Sequence, residues 1–178
     1  RTLAVLGTGY IGREVIRRAL AFRMHVRAWS RSLTAQEASE LGAEFCPTPD
    51  AAADGADALS VHLALGKSTR NLVGAGLLAK LRPGALVVNL SRGGVVDEEA
   101  LLDAVKARGI RAGLDVFERE PGANDTKFQD KAIMEVSGIY GTHHTGARTE
   151  QASEAVEDAV VAAVDAYLSG REIPGRLA

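Results

Sequence analysis

The stretch TLAVLGTGYIGREVIRRALAFRMHVRAWSRS, residues 2–32, decides the fold of this chain. An apolar run at 2–7 predicts a buried strand, and an amphipathic pattern at 10–22 predicts a helix. Between them lies GTGYIG at 7–12, which has the form G-x-G-x-x-G. A strand, this turn and a helix, in that order, are typical of a site that binds a dinucleotide.

Each glycine of this turn has a distinct expected role. Gly7 allows the tight turn, Gly9 lets a pyrophosphate approach the backbone, and Gly12 lets the helix lie close to the strand. The phosphate would then sit at the start of a helix, where amides and the helix dipole favour an anion. The alternative is a turn that needs glycine only for its backbone shape.

The end of the second strand bears on the choice of cofactor. An NAD site normally has an acid about 20 residues after the turn, which holds the ribose hydroxyls. Here the sequence is Trp29-Ser30-Arg31-Ser32, without a carboxylate. Arginine and serine bind a 2′-phosphate, which a carboxylate would repel, so this segment favours NADP over NAD. Alternatively, Arg31 is a solvated loop charge and the site accepts either cofactor.

Further apolar runs without clean alternation are expected of parallel strands that are covered on both faces. They lie at 25–29, 56–65, 84–91 and 111–117, with a fainter one at 135–141. Helical patterns lie at 97–109 and 149–170. Strands that alternate with helices predict crossover connections. The predicted fold class is therefore α/β, a Rossmann-type doubly wound parallel sheet with helices on both faces.

Local signals refine two of the predicted helices. In the first helix, Ile11, Val15 and Ala19 form the apolar stripe that we expect to face the sheet. In the helix at 97–109, Asp97 is expected to cap the amino end and Gly109 to end the helix.

Composition limits the classes of function. The 178 residues suit a single domain, and a net charge of −2 does not favour nucleic acid or a membrane surface as a partner. The single cysteine, Cys46, cannot form an internal disulfide, which favours a reducing, cytoplasmic setting. No apolar run is long enough to span a bilayer, and no metal site is predicted. The chain opens on Arg1 in an apolar run, so we expect a piece of something longer.

Polar side chains follow three of the predicted strands, at the sheet edge where ligands of such folds bind. They are Arg92, then Asp115, Glu118 and Glu120, and finally His143 and His144. An arginine can hold a substrate carboxylate, a histidine can protonate a carbonyl oxygen, and a carboxylate can raise the histidine pKa. This set suits the reduction of a 2-oxo acid. Singly, each residue also fits an ordinary surface charge or strand-end polar group.

Several segments together resemble one family. GTGYIG, SVHLAL, VVNLSRGGVVDEEAL, AGLDVFEREP and YGTHHTGARTEQA, in this order and spacing, resemble the nucleotide-binding domain of the D-isomer-specific 2-hydroxyacid dehydrogenases. Within that family, YGTHHTGARTEQA is most similar to the D-3-phosphoglycerate dehydrogenase branch. The resemblance implies that Arg92, Glu120 (not Glu118) and His144 are catalytic.

The resemblance also implies the cofactor contacts. With the residues of the glycine turn and of the strand ends included, the expected contacts are Gly7, Gly9, Tyr10, Ile11, Gly12, Ser30, Arg31, His62, Leu63, Leu90, Ser91, Arg92, Asp115, His144 and Gly146. Some positions depart from the family pattern. Ser30 replaces the usual acid, which puts NAD preference in doubt, and Thr145 and Arg148 flank His144, which leaves the substrate open.

The expected protein is thus the NAD(P)-binding domain, residues 1–178, of an oxidoreductase that transfers a hydride between a nicotinamide cofactor and a D-2-hydroxy or 2-oxo acid. The family's substrate domain, which precedes this start, is missing from the sequence, so we expect a fragment or a deliberately shortened chain. The family implies a homodimer formed through this domain. Two alternatives stay open: a cofactor-binding module or scaffold without catalysis, and an interaction domain that uses the apolar faces at 97–108 and 149–169.

Overall fold

The computed structural model describes residues 1–121, 133 and 135–174. The chain divides into two compact units, Arg1–His143 and His144–Ala178, and each is described by itself. The prediction of one domain over 1–178 stays a prediction.

Within the described residues, the first unit contains a seven-stranded sheet in which every pairing is parallel. The strands are β1 Thr2–Leu6, β2 His25–Trp29, β3 Glu44–Phe45, β4 Ala58–Val61, β5 Leu86–Asn89, β6 Arg111–Leu114 and β7 Ile139–Gly141. Their order is β3-β2-β1-β4-β5-β6-β7, so the direction of winding reverses beside β1. Such a reversal opens a crevice beyond the carboxyl ends of the strands, where ligands bind in this architecture.

Helices cover both faces of the sheet. They are α1 Tyr10–Ala21, α2 Ala35–Glu40, α3 Pro49–Ala53, α4 Ala75–Lys80 and α5 Glu98–Arg108, with a 3-10 turn at Gly93–Val95. Successive residues of β1 point to opposite faces: Leu3 and Val5 belong to one apolar cluster, Ala4 and Leu6 to the other. Helices α1 and α2 cover the first cluster, and α3, α4 and α5 cover the second. The predicted fold class is confirmed.

The predicted apolar stripe of α1 was wrong at Ile11, whereas Ala19 is buried and Val15 is partly buried against the core, as expected. The buried residues of α1 are Gly12, Ile16 and Ala19, whereas Ile11 is 67% exposed. Gly12 lies on the side of α1 that faces the sheet, because its backbone packs against the carbonyl of Gly7 and leaves no room for a Cβ. Four short elements, β3, α2, α3 and α4, were not predicted, since two to six residues carry too little periodicity to be recognised.

Helix α5 has the ends that its sequence predicted. The Asp97 carboxylate accepts a hydrogen bond from the Ala100 amide, and Gly109 follows the helix with φ 65°. In the second unit, α6 runs over Glu150–Leu168, and the Thr149 hydroxyl accepts from the Ala152 amide at its start. No described helix combines the length and apolar character needed to cross a membrane.

Candidate functional site

The glycine turn between β1 and α1 has the geometry expected of a phosphate cradle. Gly7 has φ 99°, and a Cβ there would lie 2.4 Å from the His62 carbonyl oxygen. A Cβ on Gly12 would lie 1.9 Å from the Gly7 carbonyl oxygen, so the strand, turn and helix meet without room for a side chain. At Gly9, no atom beyond its chain neighbours lies within 4 Å of the place that a Cβ would occupy, so the space above the turn is open to a ligand.

Two clefts adjoin the turn, both within the first unit. The first cleft, about 220 Å³, is lined by Gly7, Thr8, Gly9, Arg13, Ser30, Arg31, Ser32, Leu33, Glu37, His62, Leu63 and Ala64. The second cleft, about 550 Å³, is lined by Gly9, Tyr10, Ile11, Gly12, His62, Leu63, Ala64, Leu65, Leu90, Ser91 and Arg92. The clefts share Gly9 and the segment 62–64, so an elongated ligand can occupy both across the turn. A dinucleotide has that shape.

The end of β2 is joined to the glycine turn. The Gly7 amide donates to the Trp29 carbonyl at 2.8 Å, and the hydroxyls of Thr8 and Ser30 share a hydrogen bond of 2.8 Å. Arg31 is exposed and lines the first cleft beside them. The two residues that were predicted to meet a ribose or its phosphate therefore do lie next to the turn.

Sequence reasoning missed Arg13 and Glu37, which also line the first cleft. Arg13 Nε donates to the Thr8 carbonyl at 3.0 Å, and Arg13 Nη2 donates to Glu37 Oε1 at 3.5 Å. The Glu37 carboxylate also accepts from the amide of Thr34 at 2.9 Å, which is the first cause of its lowered pKa. The pattern T-x-x-E at 34–37, a capping box, was the signal that could have placed Glu37 at the start of a helix.

His62 lies between the two clefts and contributes to both. Its Nε2 is 2.8 Å from the Ser60 hydroxyl. Burial lowers the pKa of His62 below its usual value, so the imidazole is neutral near pH 7.

A buried amide shapes the turn that carries Arg92. Asn89 is 1% exposed at the end of β5, and its Nδ2 donates to the Arg92 carbonyl at 2.9 Å. Its Oδ1 accepts from the amide of Ser91 at 3.1 Å and from the Ser91 hydroxyl at 2.8 Å. Arg92 is exposed on the second cleft. Asn89 was missed, although a polar residue at the end of an apolar strand is the kind of signal that could have pointed to it.

The turns after β5 and β6 are in contact. A Cβ on Gly93 would lie 2.0 Å from the Phe117 carbonyl oxygen, so only glycine allows this approach. Three residues after Phe117, Glu120 reaches back, and its Oε1 accepts a hydrogen bond from the Phe117 amide at 2.8 Å. The loop that carries Glu120 is thus packed against the residue that follows Arg92. Asp115 is 3% exposed, and its carboxylate accepts from the Thr142 hydroxyl.

His144 and Gly146 belong to the second unit, and their predicted roles stay predictions. Both are exposed, and His144 has φ 53°, in the left-handed region that residues other than glycine adopt infrequently, although His is among those enriched there. The proposed grouping of Arg92, Glu120 and His144 is likewise a prediction.

Comparisons with known proteins bear on the same residues. A family model described as D-isomer specific 2-hydroxyacid dehydrogenase, NAD binding domain, matches residues 1–146. A D-3-phosphoglycerate dehydrogenase of Methanocaldococcus jannaschii is 34% identical over 171 residues, which are 96% of this chain and 32% of that protein.

Two solved structures are similar in fold. One is an NADPH-dependent glyoxylate/hydroxypyruvate reductase of Sinorhizobium meliloti in complex with NADP and malonate, 31% identical, with a TM-score of 0.87 over 100% of this chain and 53% of that one. The other is a D-lactate dehydrogenase of Lactobacillus jensenii with NAD+, 24% identical, with a TM-score of 0.89 over 100% of this chain and 56% of that one. The second likeness concerns the fold alone. This chain thus spans about a third to a half of the length of these proteins.

Proposed function

The chain belongs to the family of D-isomer-specific 2-hydroxyacid dehydrogenases, as their NAD-binding domain, and from this premise we propose that the protein to which it belongs transfers a hydride between a nicotinamide cofactor and a small 2-oxo or 2-hydroxy acid. The observation that carries the proposal is the open space above Gly9, flanked by two clefts that share the turn. The substrates in the names of the relatives, phosphoglycerate, glyoxylate and hydroxypyruvate, indicate the class of acid.

The residues of the turn fit the cofactor. The diphosphate would lie over Gly9, the adenosine half in the first cleft with Ser30 and Arg31, and the nicotinamide half in the second cleft with Leu90 and Ser91. When bound, the nicotinamide supplies the hydride acceptor or donor. Because His62 is neutral, it adds no charge between the two halves.

Three side chains would serve the reacting acid. Arg92 holds the substrate carboxylate, a role that its exposed guanidinium on the second cleft supports. His144 gives a proton to the carbonyl oxygen, or takes one from the hydroxyl in the other direction. Glu120 is the carboxylate partner proposed for this histidine.

The same cleft supports a preference for NADP. Ser30, Arg31 and Ser32 stand where an acid would hold the ribose diol of NAD, and a guanidinium with two hydroxyls suits a phosphate. We further propose a homodimer in the cytoplasm. The homodimer is supported by exposed apolar side chains on α6, among them Val156, Val160 and Val164. The cytoplasmic setting is supported by the single cysteine, Cys46, whose thiol is free and buried.

Binding of the cofactor can be measured on this chain directly. Trp29, its one tryptophan, stands at the end of β2, so we expect energy transfer to the reduced nicotinamide on titration with NADH and with NADPH. Saturable binding of NADPH that is tighter than that of NADH is the expected result. Failure to bind either would contradict the proposed function.

Turnover tests the catalytic residues. Glyoxylate, hydroxypyruvate and phosphohydroxypyruvate should each be assayed with the better cofactor, using this chain and, where the natural protein is longer, that longer protein. The His144→Ala variant should lose more than about 100-fold in kcat, as expected when a general acid is removed. The neighbouring His143→Ala variant is the matched control and should retain activity. Binding without turnover in every pairing would favour the module without catalysis.

A further inference from the structure

We propose that Glu37 is a specificity-determining residue, which opposes a 2′-phosphate in the first cleft and competes with it for the guanidinium of Arg13. The inference rests on the proposed function, because it requires that the adenosine half of the cofactor occupy this cleft. It goes beyond the preference for NADP that Ser30 and Arg31 suggest. If Glu37 opposes the 2′-phosphate, the preference for NADP is weaker than those two residues alone predict.

The position of Glu37 is the first support. Its carboxylate comes from α2, not from the end of β2, yet it lines the same cleft as Ser30, Arg31 and Ser32. The acid that is lacking after β2 is therefore present in the cleft from another element. A negative charge in this cleft disfavours a doubly charged phosphate whichever element carries it.

The second support is that the carboxylate is held in place. It accepts hydrogen bonds from the Thr34 amide at 2.9 Å and the Thr34 hydroxyl at 3.0 Å, in the reciprocal capping box of α2. These bonds favour the ionised form and lower the pKa of Glu37. The carboxylate cannot leave this position without breaking the cap, and it stays ionised at neutral pH.

The third support is the state of Arg13. Its Nε donates to the Thr8 carbonyl within the glycine turn, while its Nη2 reaches Glu37 at 3.5 Å. The two side chains are 43% and 40% exposed, so the ion pair itself is weak and another anion can compete for the guanidinium. When Glu37 is ionised, its negative charge offsets one of the two positive charges that Arg13 and Arg31 bring to the cleft. With Glu37 neutral, both arginines would face a phosphate.

The test compares Glu37→Gln with the unchanged chain by titration calorimetry at low ionic strength. Glutamine accepts from the Thr34 amide as glutamate does, so the cap is kept, and thermal unfolding checks this. We expect the Kd for NADPH to fall roughly tenfold while the Kd for NADH changes by less than about threefold, as a unit charge near a phosphate at a partly solvated site predicts.

Glu40→Gln is the matched control, because Glu40 lies on the same helix and bonds to Gln36 outside the lining of the first cleft. It makes the same change in net charge and should leave both affinities unaltered. The double variant Glu37→Gln with Arg13→Gln should lose the gain for NADPH, since the guanidinium that was released is then absent. The gain should also shrink as salt is added.

The outcomes separate this inference from the proposed function. If the unchanged chain binds neither cofactor, the proposed function fails and this inference with it. If the chain binds both cofactors but Glu37→Gln leaves the ratio of their affinities unchanged, only the role of Glu37 is overturned. An equal gain for NADPH in Glu40→Gln would also overturn it, because the effect would then be one of net charge alone.

Discussion

Gly9 and Gly12 belong to the same turn, but they differ in the space around them. A methyl group on Gly9 would point into open space, whereas one on Gly12 would collide with the Gly7 carbonyl. The sequence pattern predicted both roles, because the requirements are local: they depend on the strand, the turn and the helix that are adjacent in the chain. Asn89 was missed although its contacts are also local. Its three hydrogen bonds join it to Ser91 and Arg92, two and three residues further on, and a polar residue at the end of an apolar strand was the available signal.

The two glycines give a prediction at this scale. Gly12→Ala should lower the free energy of unfolding by about 2 kcal/mol or more, since its Cβ would meet the Gly7 carbonyl. Gly9→Ala, where φ is −70° and the space is open, should change that free energy by less than about 0.5 kcal/mol. It should nevertheless weaken cofactor binding at least about tenfold, because the methyl group occupies the path of the diphosphate.

Urea unfolding and cofactor titration of the same two variants test this prediction. Equal stabilities for Gly9→Ala and Gly12→Ala would contradict the packing argument. Unimpaired cofactor binding by a folded Gly9→Ala would contradict the assignment of the turn.

At the scale of the elements, strands and helices with long patterns were predictable, and short ones were not. The prediction of α5 succeeded at both ends, since Asp97 and Gly109 act on backbone groups within one turn of the helix. The predicted face of α1 was mistaken at Ile11, because apolar spacing alone allowed two neighbouring stripes that share Ala19. The contact of Gly12 with the turn selects the stripe that contains Ile16.

The corrected face of α1 can be tested with one substitution at two positions. Ile16 is 0% exposed and Ile11 is 67% exposed. Ile16→Ala should therefore destabilise the fold by about 2–5 kcal/mol, as removal of a buried aliphatic side chain does. Ile11→Ala should cost less than about 0.5 kcal/mol and should act on cofactor binding through the second cleft. The reverse order in a chemical unfolding experiment would restore the stripe first predicted.

Across the first unit, Asp57 joins segments that are far apart in the chain. Its carboxylate accepts from the Thr2 amide at 2.7 Å and pairs with Arg1 and Arg82, each at 3.0 Å. The Thr2 bond is the first cause of a pKa lowered from 3.8 to about 2. These contacts lie where β1 begins and near the start of β5, at the edge opposite to the clefts.

The Asp57 pKa sets a pH dependence with a definite sign. Because the folded state prefers the ionised carboxylate, its contribution to stability is fully present above pH 3.8 and is lost as the pH falls toward about 2. Asp57→Asn should therefore lower the urea midpoint at pH 7, and its difference from the unchanged chain should shrink steadily below pH 4. Asp54→Asn, at an exposed position, is the control and should leave the midpoint at pH 7 nearly unchanged. A difference that grows on acidification would contradict the linkage.

The sequence by itself determined the fold class, the glycine turn and the polar side chains at the ends of the strands. These features depend on backbone conformation and on apolar runs, which nearby residues specify. Only the tertiary structure decided that Ile16 rather than Ile11 is buried on α1, and that Glu37 and Arg13 share a cleft with Arg31. Those contacts join residues from separate elements, and they exist only because the parallel strands bring the ends of those elements to one edge of the sheet.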